Sequence, residues 1–259
     1  MRRHLIACLL GSVVVIGLHA QTFPYDHMHF NAADPAAAVA WYAANLGGKP
    51  GAGPDRVVIG RTIFAFAKLE NAPPSAGGAI DHIAFSVADV DGTMKTLQAA
   101  GAKLLTPPSD SPAIGKAGVV QDPFGVKIEL LQEPSALGFH HIHLRVPDPA
   151  AALEWFAANF GGERLKWKGS LDAVKYTNPT VLLLADKDGM ATPSQGRAID
   201  HLGWGVNNVD AMVSGLTAKG LKTVEPRAVR NLRVGFVDGP GAVRIEMVQG
   251  RTEEELVGR

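Results

Sequence analysis

Apolar and polar positions along the chain follow the same order in its two halves. Each half opens with a short alternating run, continues with an Ala-rich stretch beginning Asp-Pro, and then shows several apolar or β-branched runs. Alternation predicts a strand, because successive side chains of a strand point to opposite faces. Asp34 and Asp148 are placed to cap helices that begin with proline, and Gly47 and Gly161 are placed to end those helices.

Two pairs of segments show that the halves are copies of one another. Residues 27–48 return at 141–162, where His-x-His, Asp-Pro-Ala-Ala-Ala and Gly-Gly keep a constant offset. Residues 80–87 return less closely at 199–206, and both segments begin with Ile, Asp and His. Similarity of this length and order indicates an internal duplication.

The duplication sets the predicted domain boundaries. We predict one domain over residues 22–133 and a second over 138–250, with residues 133–138 as the linker. The order of strand, helix and several strands occurs twice in each domain, which predicts an α+β fold of four βαβββ modules. The apolar runs 57–67 and 174–184 are predicted as strands of the first and third modules.

The N-terminal residues predict export. Residues 1–20 combine two arginines, an apolar run of 14 residues (5–18) and a small residue before Gln21, which is typical of a secretory signal peptide. A membrane anchor is the alternative, but a bilayer needs about 20 apolar residues. We therefore expect a periplasmic or secreted protein with no stable membrane insertion after cleavage. The lone cysteine, Cys8, falls in this segment, so the mature chain has no thiol for catalysis or metal binding.

Charge excludes one class of partner. The chain has 25 basic and 25 acidic residues, so its formal net charge is zero and no overall field attracts nucleic acid or an anionic membrane. A hydrophobic fraction of 46% is enough for one large or two modest cores. We expect a small-molecule partner and a monomeric or homodimeric protein.

Histidine and glutamate recur at corresponding places in the two halves. They lie on predicted strands, where a lone histidine is ordinarily a core residue, but repetition of all three positions favours a shared function. Two imidazoles and a carboxylate suit a divalent transition metal and leave coordination positions open for water or substrate. The repeated residues are His27, His82 and Glu129 in the first half and His141, His201 and Glu246 in the second. We therefore predict a metal triad that is encoded twice.

This pattern resembles the vicinal oxygen chelate superfamily, which includes glyoxalase, bleomycin-resistance and extradiol dioxygenase proteins. In that superfamily the first-strand histidine stands seven residues before an Asp that opens the helix. The spacing is kept by His27 and Asp34, by His141 and Asp148, and by His82 and Asp89, whereas His201 reaches Asn208. The resemblance covers nearly all of the chain after the N-terminal segment. It implies that the modules pair into two cup-shaped domains, each holding Fe(II), Mn(II), Zn(II) or Ni(II).

The resemblance leaves the pairing of the modules open. Pairing of consecutive modules gives the sites His27/His82/Glu129 and His141/His201/Glu246. Swapped pairing gives the sites His27/His201/Glu246 and His141/His82/Glu129. Both arrangements yield two complete triads, so the prediction of two metal sites does not depend on the choice between them.

Further residues near the triads are candidates for substrate chemistry. The catalytic candidates are His29, His143 and Tyr176. The two histidines share a strand face with the ligands His27 and His141, and either is a candidate base.

Two basic residues are candidates for binding the substrate. Lys127 and Arg244 stand two residues before the glutamates on the same face, where they could bind a substrate carboxylate or enolate. The alternative is a solvated charge at the edge of the strand. His140 is predicted to point away from the ligand face and to be structural.

The superfamily hosts several reactions. Glyoxalase I and the epimerases resemble a pattern with a fourth ligand on the last strand of the first-His module, but residues 62–67 and 180–185 offer none. Three ligands resemble the facial triad of extradiol dioxygenases, although the chain has no histidine after His201. We expect a metal-dependent enzyme, dioxygenase-like or a glyoxalase-like lyase or isomerase, acting on a small oxygen-chelating substrate. The alternative is a non-catalytic protein that binds a drug or metabolite.

Overall fold

The computed structural model describes residues 21–112, 114–177 and 181–257. The predicted signal peptide, residues 1–20, lies outside the described residues. The first half contains β1 (Tyr25–Ala32), α1 (Pro35–Leu46), β2 (Lys49–Pro50), β3 (Arg56–Ile59), β4 (Thr62–Lys68), β5 (Ile80–Ser86), α2 (Val90–Ala99), β6 (Lys103–Ser111), β7 (Gly115–Gln121) and β8 (Lys127–Leu131). The second half contains β9 (Gly138–Val146), α3 (Pro149–Phe160), β10 (Glu163–Trp167), β11 (Leu171–Tyr176), β12 (Val181–Lys187), β13 (Ile199–Gly205), α4 (Val209–Ala218), β14 (Thr223–Val229), β15 (Leu232–Asp238), β16 (Arg244–Gln249) and α5 (Glu253–Val257).

These elements form the four predicted βαβββ modules. Modules 1 to 4 begin with β1, β5, β9 and β13, and each continues with one helix and three strands. The short helix α5 follows the fourth module. None of the helices in the described ranges is long and apolar enough to cross a bilayer.

The predicted helix boundaries are confirmed. The Asp34 carboxylate accepts a hydrogen bond of 3.0 Å from the Ala37 backbone N–H at the start of α1, and Asp148 does the same for α3. Gly47 ends α1 with φ 70°, in the left-handed region that favours glycine.

The two runs predicted as single strands are hairpins. Within residues 57–67, β3 and β4 pair antiparallel with Ile59 opposite Thr62. Gly60 makes the two-residue turn possible because its φ is 63°, and a turn of this length sets the register of the pair. In the third module, β11 and β12 likewise pair antiparallel, with Tyr176 opposite Val181.

The modules pair in the swapped arrangement. One eight-stranded sheet has the order β14-β15-β16-β13-β1-β4-β3-β2, and the other has the order β10-β11-β12-β9-β5-β8-β7-β6. We call the first sheet, built by modules 1 and 4, cup 1, and the second, built by modules 2 and 3, cup 2. The predicted domains 22–133 and 138–250 are therefore sequence repeats, and neither repeat closes a cup from its own strands.

The core fixes which strand face is left for chemistry. One apolar cluster contains side chains from both sheets and from α1 to α4, including Met28 and Phe30 of β1. Because residues alternate along a strand, His27 and His29 lie on the opposite face of β1, inside cup 1. Packing of the helices against one face of each sheet thus leaves the other face for polar residues.

Candidate metal centres

Three strands of cup 1 bring together the first set of ligands. His27 on β1 and Glu246 on β16 both pair in register with Gly203 of β13, and His201 lies two residues before that glycine. Oε2 of Glu246 lies 3.0 Å from Nε2 of His27 and 2.9 Å from Nε2 of His201. The ligand atoms of these three residues and His29 all lie within 4.8 Å of one another.

Cup 2 brings together the second set in the same way. His141 on β9 and Glu129 on β8 both pair in register with Ala84 of β5, and His82 lies two residues before it. Oε2 of Glu129 lies 3.2 Å from Nε2 of His141 and 3.8 Å from Nε2 of His82. The swapped pairing thus places each glutamate beside two of the predicted histidines, and in cup 2 the ligand atoms that all lie within 4.8 Å of one another are those of His82, His141 and His143.

Three of the four ligand histidines are each held by the aspartate that precedes them in the chain. In each case a carboxylate oxygen lies within hydrogen-bond distance of Nδ1 of the next residue. The distances are 2.7 Å for Asp26 and His27, 2.8 Å for Asp81 and His82, and 2.6 Å for Asp200 and His201. Sequence reasoning missed these aspartates, although Asp-His occurs three times in the chain.

A β-bulge makes each of these contacts possible. In a regular strand the residue before the ligand points to the opposite face. Here Tyr25 pairs with Trp204 and His27 pairs with Gly203, so Asp26 is an extra residue without a partner in the register. The same irregularity occurs before His82, and a bulge re-aims its side chains in this way.

His140 occupies the fourth of these positions. It lies at the register shift between the pairs formed by His141 and Phe139, and its Nδ1 is 3.0 Å from Nδ1 of His141. The prediction that His140 points away from the site is wrong, because the bulge breaks the alternation on which it depended. The group that orients His141 is therefore the imidazole of His140, whereas the group that orients His27 is the carboxylate of Asp26.

The hydrogen bonds at Nδ1 prepare the opposite nitrogen for a metal. A neutral histidine that donates from Nδ1 to a carboxylate has a lone pair at Nε2. In cup 1 the Nε2 atoms face the Glu246 carboxylate, so a proton or a metal cation is needed between these acceptors. In cup 2 the Nε2 atoms of His82 and His141 are buried and make no hydrogen bond among the described residues. Both donor sets therefore fit a divalent transition metal.

The two cups differ in their electrostatics. Burial opposes charging of His27, but Glu246 and Asp26 outweigh it and raise the pKa of His27 to about 9. Burial dominates at His141, where it lowers the pKa to about 3 despite the neighbouring Glu129. Burial also works against ionisation of Glu129, yet His141 and His82 hold the pKa of that carboxyl well below its usual range. Both glutamates are therefore ionised near neutral pH.

The two candidate bases lie beside the triads. The ring of His29 is 4.7 Å from that of His201, and burial with the neighbouring His201 lowers the pKa of His29 to about 3. The ring of His143 stacks on His82 at 4.6 Å, and its Nε2 is 3.0 Å from Oδ2 of Asp186. Burial lowers the pKa of His143 as well. Both are therefore neutral imidazoles inside a cup near neutral pH.

Lys127 contacts Asp81, the residue that orients the predicted metal ligand His82. Its Nζ lies 2.5 Å from Oδ2 of Asp81, the oxygen that also lies 2.8 Å from Nδ1 of His82. The alternative of a solvated charge at Lys127 is wrong, because this ammonium is part of an ion pair. Substrate binding by Lys127 stays a prediction.

Arg244 lies at the wall of cup 1. Its guanidinium stacks 4.4 Å from the ring centroid of Phe236 and donates a 3.0 Å hydrogen bond to Gln195. The Phe236 ring is in turn 5.3 Å from that of His201. No carboxylate among the described residues forms an ion pair with Arg244, so substrate binding by this residue stays a prediction.

Tyr176 does not lie at either site. It shares a strand face with Val174, and both belong to the apolar core between the sheets. Its side chain is 1% exposed and meets Trp204 edge-on at 5.4 Å. The predicted catalytic role is therefore wrong, because alternation along β11 points Tyr176 to the core and Lys175 to the cup.

The strands examined for a fourth ligand present apolar side chains. Ile63 and Ala65 of β4 pair in register with His27 and His29. Leu182 and Leu184 of β12 hold the matching places beside His141 and His143. These strands therefore offer no fourth ligand to either triad, and the further imidazoles grouped with the ligand atoms are His29 in cup 1 and His143 in cup 2.

Comparisons with known proteins bear on the family and the fold of the chain. A family model described as the Glyoxalase/Bleomycin resistance protein/Dioxygenase superfamily matches residues 25–130 and 138–247. Glyoxalase I from Zea mays superposes with a TM-score of 0.70 at 16% identity, covering 88% of this chain and 93% of that chain. A candidate dioxygenase from Bacillus subtilis superposes with a TM-score of 0.66 at 14% identity, covering 90% and 86%. At these identities the likeness shows the fold alone. No curated protein matches the sequence.

Proposed function

Because the chain belongs to the Glyoxalase/Bleomycin resistance protein/Dioxygenase superfamily, we propose that it is a divalent-metal-dependent enzyme acting on a small oxygen-chelating substrate. The observation that carries the proposal is the convergence of two Nε2 atoms and one carboxylate in each cup. Aspartate contacts at Nδ1 support it, because they set the histidine tautomer that binds a metal. A protein that only sequestered an apolar ligand would not need three Asp-His pairs held by bulges.

The proposed ligands are His27, His201 and Glu246 in cup 1 and His141, His82 and Glu129 in cup 2. Fe(II), Mn(II), Zn(II) and Ni(II) all accept this donor set. When bound, such an ion acts as a Lewis acid that stabilises an enolate or oxyanion of a chelated substrate. Three protein ligands on one side leave room for two neighbouring substrate oxygens.

The chain itself supplies the proton chemistry. His29 and His143 are buried beside the triads, and each is our candidate to accept a proton from a substrate bound at its cup; burial makes both weak bases, so the transfer requires a substrate proton that metal chelation has made acidic. This step is common to a dioxygenase-like and to a lyase- or isomerase-like reaction. Residues 1–20 support the further proposal that the enzyme acts in the periplasm or is secreted.

Metal analysis tests the proposal. The mature chain is purified without nickel affinity, offered each of the four metals, dialysed and analysed by elemental mass spectrometry. We expect about two equivalents of one metal per chain, and none in Glu129→Ala/Glu246→Ala. The matched control is Glu163→Ala/Glu225→Ala, which removes two exposed carboxylates and is expected to keep both equivalents. A wild-type chain that stays empty with every metal would overturn the proposal.

A further inference from the structure

A cavity of about 400 Å³ opens in cup 2 beside its metal triad. Leu182 pairs in register with the ligand His141, and Lys175 pairs with Leu182, so all three side chains point to the same face of the sheet. The cavity is lined by Trp167, Leu182, Lys175, His140 and Leu137, among others. Its volume suits a single-ring molecule, since ligand pockets begin at about 300 Å³.

The walls of the cavity combine aromatic and aliphatic side chains with the polar residues Glu133, Ser135, His140 and Lys175. The ring of Trp167 lies 5.0 Å from that of His140 and 5.7 Å from that of His141, so a flat ligand on this indole would reach the metal ligands. Leu182 lies on the strand next to His141 and is 8% exposed. A planar apolar body therefore has an aromatic wall to stack on.

One cation of the cavity forms no ion pair. Lys175 is half-buried and takes part in none of the ion pairs among the described residues, although Glu163 stands opposite it on β10 and Glu133 lines the same cavity. The neighbouring Lys166 and Lys168 differ in this respect, because they pair with Asp172 and Glu133. A carboxylate of a bound ligand would supply the missing charge.

In cup 1 the same place is filled by the chain itself. Ile63 pairs with the ligand His27 as Leu182 pairs with His141, and Val58 pairs with Ile63 as Lys175 pairs with Leu182. Ile63, Val58 and Ala65 form a small apolar cluster on which Leu256 of α5 packs. Cup 1 thus has Val58 where cup 2 has Lys175, and it has α5 where cup 2 has the cavity.

Two ion pairs hold α5 over cup 1. The Arg251 side chain is 9% exposed and lies 3.1 Å from Oδ1 of Asp26, the aspartate that orients His27. Arg61, in the turn before β4, lies 2.6 Å from Oε1 of Glu253. The C-terminal segment is therefore bound both to the wall of cup 1 and to the support of its metal ligand.

We propose that the cup 2 cavity is the substrate subsite, that it takes a flat aromatic carboxylate, and that cup 1 excludes this ligand because α5 fills the equivalent space. The inference rests on the proposed function for its metal and adds the substrate class and the site of turnover. Ring stacking on Trp167 and pairing of the carboxylate with Lys175 direct the far edge of the ring, with any oxygen substituents there, toward the triad.

Calorimetric titration with salicylate tests the inference on the full mature chain with both triads loaded. Salicylate carries the flat ring and the carboxylate that this subsite would bind. We expect one equivalent bound per chain, with affinity reduced at least tenfold in Lys175→Met, which keeps the apolar length and removes the charge. Lys166→Met is the matched control on the adjacent strand and is expected to bind as the wild type does, because that ammonium pairs with Asp172.

The remaining outcomes count against the inference. Two equivalents per chain would show that α5 does not exclude the ligand from cup 1. Unchanged affinity in Lys175→Met, or no binding to a metal-loaded chain, would overturn the assignment of the cavity and leave the proposed function standing. A chain that takes up no metal but binds salicylate through Lys175 would overturn the proposed function and leave the cavity assignment intact.

Discussion

The ring of His27 lies so close to the backbone of Gly203 that one methyl group should empty the first metal site. A Cβ at position 203 would lie 2.0 Å from Cε1 of His27 and 2.6 Å from its Nε2. Ordinary contact begins near 3.4 Å, so in Gly203→Ala the ring must move by about 1.4 Å. Metal–ligand distances tolerate about 0.2 Å, so His27 can no longer complete the triad.

The expected loss in Gly203→Ala is large and confined to cup 1. Loss of an outer-shell partner alone typically costs 10–100-fold in metal affinity, and loss of a ligand should cost at least about 100-fold. Breaking the contact between His27 and Asp26 should also lower the free energy of unfolding by about 2 kcal/mol. Elemental analysis after dialysis should give one metal equivalent per chain, with an unchanged circular dichroism spectrum.

Two controls distinguish the steric effect from a general effect of alanine. Gly205 lies on the same strand face, and a Cβ there would meet only Pro24, at 3.3 Å from its Cγ and 3.9 Å from its carbonyl oxygen, so Gly205→Ala should keep both metals. Ala84 holds the place of Gly203 in cup 2, where a methyl group is accommodated beside His141, whose Nδ1 faces His140 and not an aspartate, so the steric effect expected at Gly203 depends on the ring position that Asp26 fixes. Ala84→Gly adds no atoms and should also keep both metals. Two equivalents in Gly203→Ala would refute the view that this glycine is needed to seat the His27 ring.

Two further predictions concern buried groups outside the triads. Burial raises the pKa of Asp122 to about 6, although the Tyr42 hydroxyl donates a 2.8 Å hydrogen bond to it. A folded pKa above the usual value near 4 gives stability that is present below about pH 4 and lost as pH rises through 6, by about 3 kcal/mol. In urea titrations the wild type should therefore lose about this much relative to Asp122→Asn between pH 4 and 7, whereas a constant difference would contradict the assignment. Tyr176→Phe should leave the metal content unchanged and alter the free energy of unfolding by less than about 1 kcal/mol, because the buried hydroxyl has no hydrogen-bond partner among the described residues. Loss of either metal in this variant would show that Tyr176 belongs to the site.

The repeat and the local signals made much of the fold predictable. Helix caps depend on residues next to one another in the chain, so Asp34 and Asp148 mark the helices reliably. The six ligands were recognisable because a duplication shows the same residue types twice. The pairing of modules depends on contacts between distant strands, and the two alternatives used the same residues.

The residues that orient the ligand histidines were harder to predict. Alternation is the only guide to strand faces in a sequence, and a bulge breaks it without leaving a local signal. His140 was therefore placed on the wrong face and Asp26 was missed, since each is the extra residue of a bulge. Tyr176 was misassigned for a different reason, because its face depends on where β11 begins in the register.

The swapped pairing also bears on how the molecule assembles. Modules 2 and 3 are adjacent in the chain, so cup 2 can form from one continuous segment with a short linker. Cup 1 joins β1 to β13 and needs the last module before His27 can meet Glu246. Contacts between distant segments form slowly, because loop closure costs entropy before packing compensates for it. As the chain appears from its N-terminal side, the second triad is therefore complete while the first still waits for the fourth module, and α5, the last of the described elements, can close over cup 1 only after that.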